Sequence, residues 1–485
     1  LAPRPGARVS LWFRREPSVV RDLDSLIKAY DVRGIYPDQF DEALAHDVGA
    51  SFVRVLGVAT AQGGPGAVVI GHDMRPSGPD LVASFADGVR EQGCDVILIG
   101  LCSTDGLYFA SGSLGLPGAM FTASHNPAEY NGIKLCRVGA APVGQDTGLA
   151  DIKQMIRSGI PESDETMGEA RSRDTLADYA GYLRKLVELS GIRPLTVVVD
   201  AGNGMAGYTV PAVLGEEAGL PALPMSIDRM YFELDGTFPN HEANPIEPKN
   251  LVDIQARVRS IGADIGLAFD GDADRCFVID EGGRIVNPST LTALIAAREL
   301  QRSPGSTIIH NLITSKAVPE VVFECGGSAV KTRVGHSFIK ATMAETDAVF
   351  GGEHSGHFYF RDFWRADSGM LAAMHTLAAL GSTPEGTTIS SLLTEFERYV
   401  ASGEINMPVE DQSAMMELIE ATFTGNNDVT TDHMDGLTVD GGQWWFNVRP
   451  SNTEPLLRLN VEAREADTME TLRDEVLALM RGGAT

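Results

Sequence analysis

The chain has 485 residues, 43% of them hydrophobic, and 66 acidic against 39 basic side chains leave a formal net charge of -27. That length makes three or four domains at roughly 100–200 residues each. The longest apolar runs, such as residues 95–102 (DVILIGLC), fall far below the roughly 18 residues of a membrane span, so no membrane partner is expected. An acidic surface repels a polyphosphate backbone and excludes nucleic acid as a partner, although a small anionic ligand still binds wherever Arg and Lys cluster locally.

Cys94, Cys102, Cys136, Cys276 and Cys325 are scattered, odd in number and form no CxxC pair. This argues against a disulfide framework and a structural zinc site, and for a reducing, cytoplasmic location. Residues 1–22 are Arg- and Pro-rich, without a clear period and without an apolar signal segment. They read as a mobile N-terminal extension rather than a transit peptide.

Three segments then repeat one pattern, a β-branched run, a polar turn and a helical stretch: residues 68–75 (VVIGHDMR), 197–205 (VVVDAGNGM) and 307–316 (TIIHNLITSK). Continuous Val/Ile runs are the mark of strands buried on both faces. The pattern predicts the same α/β topology used three times. The remainder differs: residues 437–439, 444–448 and 456–462 read as strands, the last alternating Leu457, Leu459 and Val461 with Arg458, Asn460 and Glu462. Helical stretches at 412–423 and 468–480 flank them, and a Gly/Pro/Thr-rich loop at 381–388 precedes them. The expected division is 23–170, 171–284, 285–397 and a smaller α+β domain at 398–485.

Four short constellations carry chemistry. In residues 122–127 (TASHNP), strand and turn signals put Ser124 on an exposed loop tip. Neighbours in an extended loop point apart, which argues against a Ser124–His125 hydrolase pair, and no G-x-S-x-G elbow is present. In residues 270–275 (DGDADR), Asp270, Asp272 and Asp274 are spaced to share one side of an extended segment. Close like charges need a cation, and hard carboxylate oxygens suit magnesium. A calcium EF-hand is disfavoured because Arg275 stands where that loop needs Gly, and the flanks read as strands. Residues 351–357 (GGEHSGH) hold polar groups between glycines, where the backbone can approach a ligand closely. Glu353 and Ser355 supply an acceptor and a donor for a sugar hydroxyl. In residues 449–455 (RPSNTEP), an Arg, two hydroxyls and an amide in a tight turn make a phosphate cradle, with a capping box from Ser451 to Glu454 as the rival reading. Tyr30 and Arg33 in YDVRG, and Gly335 with His336 in a further loop, are supporting pieces.

Together these motifs resemble the α-D-phosphohexomutase superfamily, whose members carry a phosphoserine loop, a D-G-D-x-D-R metal loop, a G-E-x-S-G sugar loop and an R-x-S-N-T-E-P phosphate loop in this order. The resemblance implies three related α/β domains and a smaller fourth around a central cleft. It implies Ser124 as a phosphoserine and one Mg2+ held by Ser124, Asp270, Asp272 and Asp274. It further implies Lys134 as a general base, which would need a lowered pKa, and His336 as a second proton-transfer group. Arg33, Tyr30, His125, Arg275 and Gly335 would line the catalytic centre, Glu353 and Ser355 would bind sugar hydroxyls, and Arg449, Ser451, Asn452 and Thr453 the non-reacting phosphate. The implied reaction interconverts hexose 1-phosphate and hexose 6-phosphate through a hexose 1,6-bisphosphate that also serves as activator. The Glu-His-Ser form of the sugar loop is similar to mannose- and glucose-directed members, and mannose is favoured. A monomer or homodimer is expected. Glucosamine phosphate as substrate, a metal-dependent sugar phosphatase and a non-catalytic sugar-phosphate binder are the alternatives. The role of Lys316 stays open.

Overall fold

The computed structural model describes residues 22–425, 429–451 and 456–482; the N-terminal extension lies outside them. Four sheets follow one another along the chain. The first three share a plan. A central strand (Ala67–His72, Leu195–Asp200 or Thr307–Asn311) pairs in parallel on both sides. One of its neighbours (Gly118–Phe121, Ile265–Phe269 or Phe350–Gly352) then turns back into an antiparallel strand (Tyr130–Arg137, Cys276–Ile279 or Phe358–Phe360). Each hairpin loop carries one of the expected motifs, so the serine, acidic and glycine-rich loops occupy the same place in three copies of one topology. They lie at the carboxyl ends of parallel strands, where α/β sheets bind ligands.

The Val/Ile runs are continuous because both faces of the central strands are covered. Val68 and Ile70 pack with Leu44, Val48 and Phe85 of helices Glu42–Val55 and Gly78–Glu91. Val69, between them, packs with Leu107 and Ala110 of helix Thr104–Leu114 on the other face. A larger core joins the units: Phe109, Tyr179, Leu195, Phe358 and Leu377 belong to one buried cluster. Helix Gly369–Gly381 is buried along its whole length, as its nearly all-apolar sequence requires.

The last sheet is antiparallel throughout, in the order Val400–Pro408, Leu456–Ala463, Trp444–Pro450, Leu437–Asp440 and Thr430–Asp432. Helices Gln412–Phe423 and Ala466–Met480 cover one face through Ile419, Met469, Leu472 and Val476. The two edge strands escape sequence reading because they are short or broken: Val400–Pro408 carries a bulge between Ala401 and Glu404, and Thr430–Asp432 has three residues. Strand Ala170–Ser172 pairs with the first sheet, so that sheet runs two residues past the expected 170/171 division. No described helix is long and apolar enough to cross a membrane.

Candidate functional site

The serine loop is shaped from behind by a buried arginine. Arg75, 1% exposed, donates from Nη1 to the carbonyls of Pro127 and Tyr130 and from Nη2 to those of Ser124 and Asn126, at 2.6–3.1 Å. Asp73 holds the guanidinium 3.3 Å away on its other side. Four carbonyls gathered on one cation force the chain into a tight reversal, in which Ser124 takes a left-handed φ of 48°. Two expectations are corrected by this geometry. Ser124 is not on an exposed tip but 4% exposed, because the acidic loop covers it. Nor do Ser124 and His125 point apart: left-handed backbone brings Ser124 Oγ within 3.2 Å of His125 Nδ1. Burial, with Arg275 and Arg33 adding, pushes the imidazole down to about 2, so this ring is neutral and too weak a base to activate a serine.

The three aspartates also meet by another route than expected. Residues 270–274 are a turn with Ala273 at a φ of 58°, not an extended segment, and the turn aims all three carboxylates inward. Their oxygens lie within 4.8 Å of one another. Gly271 makes the approach to the serine loop possible, since a Cβ there would stand 2.4 Å from the Ser124 carbonyl oxygen. Asp270 Oδ2 accepts from Ser124 Oγ at 2.9 Å and from Arg275 Nε at 2.8 Å. Lys134 Nζ donates to Asp272 at 2.7 Å and to Asp274 at 2.5 Å. Asp272 Oδ1 and Asp274 Oδ1 are buried without a hydrogen-bond partner. Buried carboxylate oxygens without a hydrogen bond are costly, and two of them beside a third carboxylate and a serine hydroxyl form an all-oxygen donor set that fits a hard divalent cation.

Burial opposes the Lys134 charge, but Asp272 and Asp274 outweigh it and hold the amine above its ordinary value. Lys134 is therefore an ammonium here, against the lowered pKa expected of a general base. Its nearest partners are the anions Asp272 and Asp274. For Asp272, burial is likewise overcome by Lys134, with Thr104 and Arg275, and the carboxylate stays low. Burial pushes Asp270 up against the pull of Arg275, with Asp274 and Asp272 adding to the rise.

A cavity of about 430 Å³ opens above these groups, lined by Tyr30, Arg33, Ser124, His125, Lys134, Asp274 and Arg275. Arg33 is fixed on Asn126 and Asp31. The Tyr30 hydroxyl lies against Gly335, 2.9 Å from where a Cβ would stand. A second cavity of about 820 Å³ shares His125 and reaches Ser355 and Arg449. Glu353 lines neither: it is buried, accepting from Tyr359 Oη at 2.7 Å, Asn311 Nδ2 at 3.3 Å and Gly335 N at 3.3 Å. It shapes the glycine-rich loop from within. Ser355 Oγ is 3.0 Å from His357 Nδ1, and His357 Nε2 is 3.6 Å from Asp274.

Arg449, at the end of strand Trp444–Pro450, ion-pairs with Glu404 at 2.6 Å. The Ser451 N–H donates to the Leu456 carbonyl, where strand Trp444–Pro450 pairs with Leu456–Ala463; Glu454, the other end of the capping box, lies outside the described residues. Asn452, Thr453 and the His336 side chain lie outside what is described. Lys316 ties the third unit to the fourth, donating to Asp440 Oδ1 at 2.6 Å and the Gly442 carbonyl at 2.8 Å.

Sequence reading missed several residues that the packing brings in. Arg75 and Asp73 directly follow a strand end, a signal that was available. His357 and Asp367 line the first cavity, and Thr104 Oγ1 donates to Asp272 Oδ2 at 2.6 Å; neither Asp367 nor Thr104 belongs to a distinctive local motif.

Comparison with known proteins follows the same division. Phosphoglucomutase/phosphomannomutase alpha/beta/alpha domains I, II and III match residues 24–161, 177–283 and 287–399, and the C-terminal domain matches 404–479. A protein named phosphohexose mutases from Xanthomonas campestris pv. campestris is 40% identical over 458 residues, 94% of this chain and 99% of that one. A phosphomannomutase from Salmonella montevideo is 38% identical over 460 residues, 93% of this chain and 98% of that one. The crystal structure of a phosphoglucomutase/phosphomannomutase family protein from Burkholderia thailandensis superposes with a TM-score of 0.83 at 32% identity, covering 95% of this chain and 98% of that one. The chain belongs to the phosphoglucomutase/phosphomannomutase family and is a phosphohexomutase enzyme.

Proposed function

We propose that this mutase interconverts hexose 1-phosphate and hexose 6-phosphate, with mannose the favoured sugar and glucose accepted. Ser124 carries the phosphoryl group as a phosphoserine, and a hexose 1,6-bisphosphate is the intermediate. One observation carries the reading: Ser124 Oγ sits 2.9 Å from Asp270 and 3.2 Å from Arg275, beside two aspartate oxygens that have no hydrogen bond and under a cavity lined by Arg33 and Lys134. Phosphoryl transfer needs positioning and charge neutralisation more than covalent chemistry, and this is the arrangement such a transfer uses. The phosphomannomutase name of the Salmonella relative supports the sugar assignment.

Asp270, Asp272, Asp274 and a phosphoserine oxygen would hold one magnesium ion, which when bound offsets charge on the transferred group. Arg275, on the serine oxygen, and Arg33 stabilise the same charge from the protein side. Lys134 enters as an ammonium and exchanges protons only once Asp272 and Asp274 turn their charge elsewhere. His336 and His357 are the further proton-transfer groups. Tyr30 and His125 line the first cavity and contact substrate there, with Gly335 against the Tyr30 hydroxyl. Ser355 contacts sugar hydroxyls, with Glu353 holding its loop, and Arg449, Ser451, Asn452 and Thr453 receive the non-reacting phosphate. The bisphosphate turns within the cleft, so that either end can meet Ser124, while the C-terminal domain shields it from water. We place the four domains at 23–172, 173–284, 285–397 and 398–485, the first boundary moved two residues to keep strand Ala170–Ser172 with its sheet.

The test is a coupled assay with mannose 1-phosphate, glucose 1-phosphate and glucosamine 1-phosphate, each with a trace of the matching bisphosphate. The expected order of specificity constants is mannose, glucose, glucosamine, with no free phosphate and no activity in Ser124→Ala. Steady release of inorganic phosphate, or full activity in Ser124→Ala, rejects the proposal.

A further inference from the structure

Helix Thr104–Leu114 opens with three polar residues, Ser103, Thr104 and Asp105, all fully buried. Polar groups are buried in this way when each has a partner, and here the partners lie in three different units. Ser103 Oγ caps its own helix, accepting from Gly106 N at 3.2 Å. Asp105 Oδ2 accepts from Tyr179 Oη at 2.8 Å and from Ser368 Oγ at 2.6 Å, which bolts the first unit to the second and the third. Thr104 turns the other way, toward the acidic loop. Its N–H donates to the Asp272 carbonyl at 3.0 Å and its Oγ1 to Asp272 Oδ2 at 2.6 Å. One residue thus fixes both the backbone and the side chain of Asp272. The helix N-terminus adds a favourable dipole toward the carboxylate.

The consequence lies in how the two carboxylate oxygens are divided. Oδ2 is taken by Thr104 and by Lys134 at 2.7 Å, while Oδ1 is buried with no hydrogen-bond partner. Lys134 alone would not set this orientation, because a flexible ammonium with three rotating donors follows the carboxylate wherever it turns. A threonine hydroxyl on a packed helix start does not follow. We propose that Thr104 is a positioning residue for the divalent cation: it clamps Asp272 so that Oδ1 faces the cation, and Asp105 keeps Thr104 in register with the other two units. The inference rests on reading Asp270, Asp272 and Asp274 as the cation site. Removing the hydrogen-bond partner of a metal ligand typically weakens metal binding about 10–100-fold.

The experiment titrates Mn2+, as a paramagnetic stand-in for Mg2+, into the purified full chain and reads the free ion by electron paramagnetic resonance. It compares wild type with Thr104→Val, which keeps the shape and loses the hydroxyl, with Thr104→Ser, which keeps the hydroxyl, and with Asp272→Asn. We expect Thr104→Val to raise the Mn2+ dissociation constant about tenfold or more and Thr104→Ser to stay near wild type. The Mg2+ concentration for half-maximal activity should rise by the same factor, with the KM for the sugar phosphate unchanged at saturating Mg2+. Should circular dichroism show Thr104→Val unfolded, Thr104→Cys, a weak donor of similar shape, is read in its place. Wild-type Mn2+ affinity in the folded hydroxyl-free variant overturns the positioning role. Equal binding by wild type and Asp272→Asn overturns instead the assignment of the cation site.

Discussion

Lys340 Nζ lies 2.6 Å from Asp367 Oδ1 and 4.3 Å from the centre of the Tyr108 ring. Lys340 and Asp367 belong to the third unit and Tyr108 to the first, so a buried ion pair and a cation–π contact close the seam between them at the wall of the first cavity, which Tyr108 and Asp367 line. Burial opposes the Asp367 charge, but Lys340, with His357 and Lys134, holds its carboxyl well below the usual carboxylate range. Removing one partner of a buried pair strands the other and typically costs about 3–5 kcal/mol. Lys340→Met should therefore destabilise the chain by about that much in chemical denaturation. The double variant Lys340→Met/Asp367→Asn should cost less than the sum of its singles, because no charge is then left uncompensated. Additive losses would show that the two side chains do not act as a pair.

Gly271 offers a sharper test of how closely the serine and acidic loops must meet. An added Cβ would stand 2.4 Å from the Ser124 carbonyl oxygen, which belongs to backbone held by Arg75 and cannot swing aside. Gly271→Ala should push the loops apart, with an overpacking cost of about 1–3 kcal/mol and a fall in kcat of about 100-fold for a displacement near 1 Å. Gly181 is the control: it sits in helix Leu176–Leu186 with nothing within 4 Å of its added Cβ. Gly181→Ala should keep full activity and gain about 0.5–1 kcal/mol from helix propensity. Undiminished turnover in Gly271→Ala would mean that the contact between the loops is irrelevant to the reaction.

The contrast between these residues explains what was legible in the sequence. The three repeated units were visible because strands buried on both faces leave an unbroken apolar run, and Ser124 and the aspartates were visible because each motif is contiguous in one hairpin loop. What stayed hidden depends on left-handed backbone or on packing between units. The φ values at Ser124 and Ala273 reversed two orientations that extended geometry had suggested. Thr104 and Asp105 acquire their partners, and Lys340 its contact with Tyr108, only when helix Thr104–Leu114 is laid against the second and third units, a relation that no local spacing encodes. Lys134 shows the electrostatic form of the same limit: its place on the strand that follows the serine loop is local, while its charge state is set by carboxylates about 140 residues away in the chain.

Acid should destabilise the chain through histidines that are buried neutral. Burial above all pushes His310 and His354 down to about 4 and His375 down to about 3. Their folded values lie below the ordinary histidine value near 6.5, so between those limits the unfolded chain binds the extra proton. Stability is full above about pH 6.5 and is lost as pH falls toward the folded values, by up to ~1.4 kcal/mol per pH unit for each histidine. His375 tests this away from the cleft, stacked on Phe360 at 5.2 Å. Glu299 Oε1, 3.7 Å away and raised by burial, works in the opposite direction, so only the histidine is replaced. His375→Phe should narrow the stability difference between pH 6.5 and pH 5 by about 2 kcal/mol. An unchanged difference in urea midpoints would assign the acid sensitivity to other groups.

Docking of the C-terminal domain turns on Glu462 more than on the better exposed Lys316–Asp440 pair. Glu462 is 3% exposed, and its Oε2 accepts from Trp445 Nε1 at 2.6 Å and from Lys316 N at 3.0 Å, the latter bond crossing from the fourth unit to the third. Asp440 makes its contact with Lys316 Nζ at 36% side-chain exposure. An exposed pair of this kind is worth only about 0.2–1 kcal/mol, whereas truncating a buried acceptor leaves two N–H donors unpaired at about 1–3 kcal/mol each. Glu462→Ala should accordingly loosen the domain, with faster hydrogen exchange along Val400–Pro408 and a higher KM for the sugar phosphate as Arg449 loses its fixed place over the second cavity. Asp440→Asn should change both only slightly. The reverse ranking of the two variants in exchange rate would show that the surface pair, not the buried carboxylate, ties the fourth unit to the third.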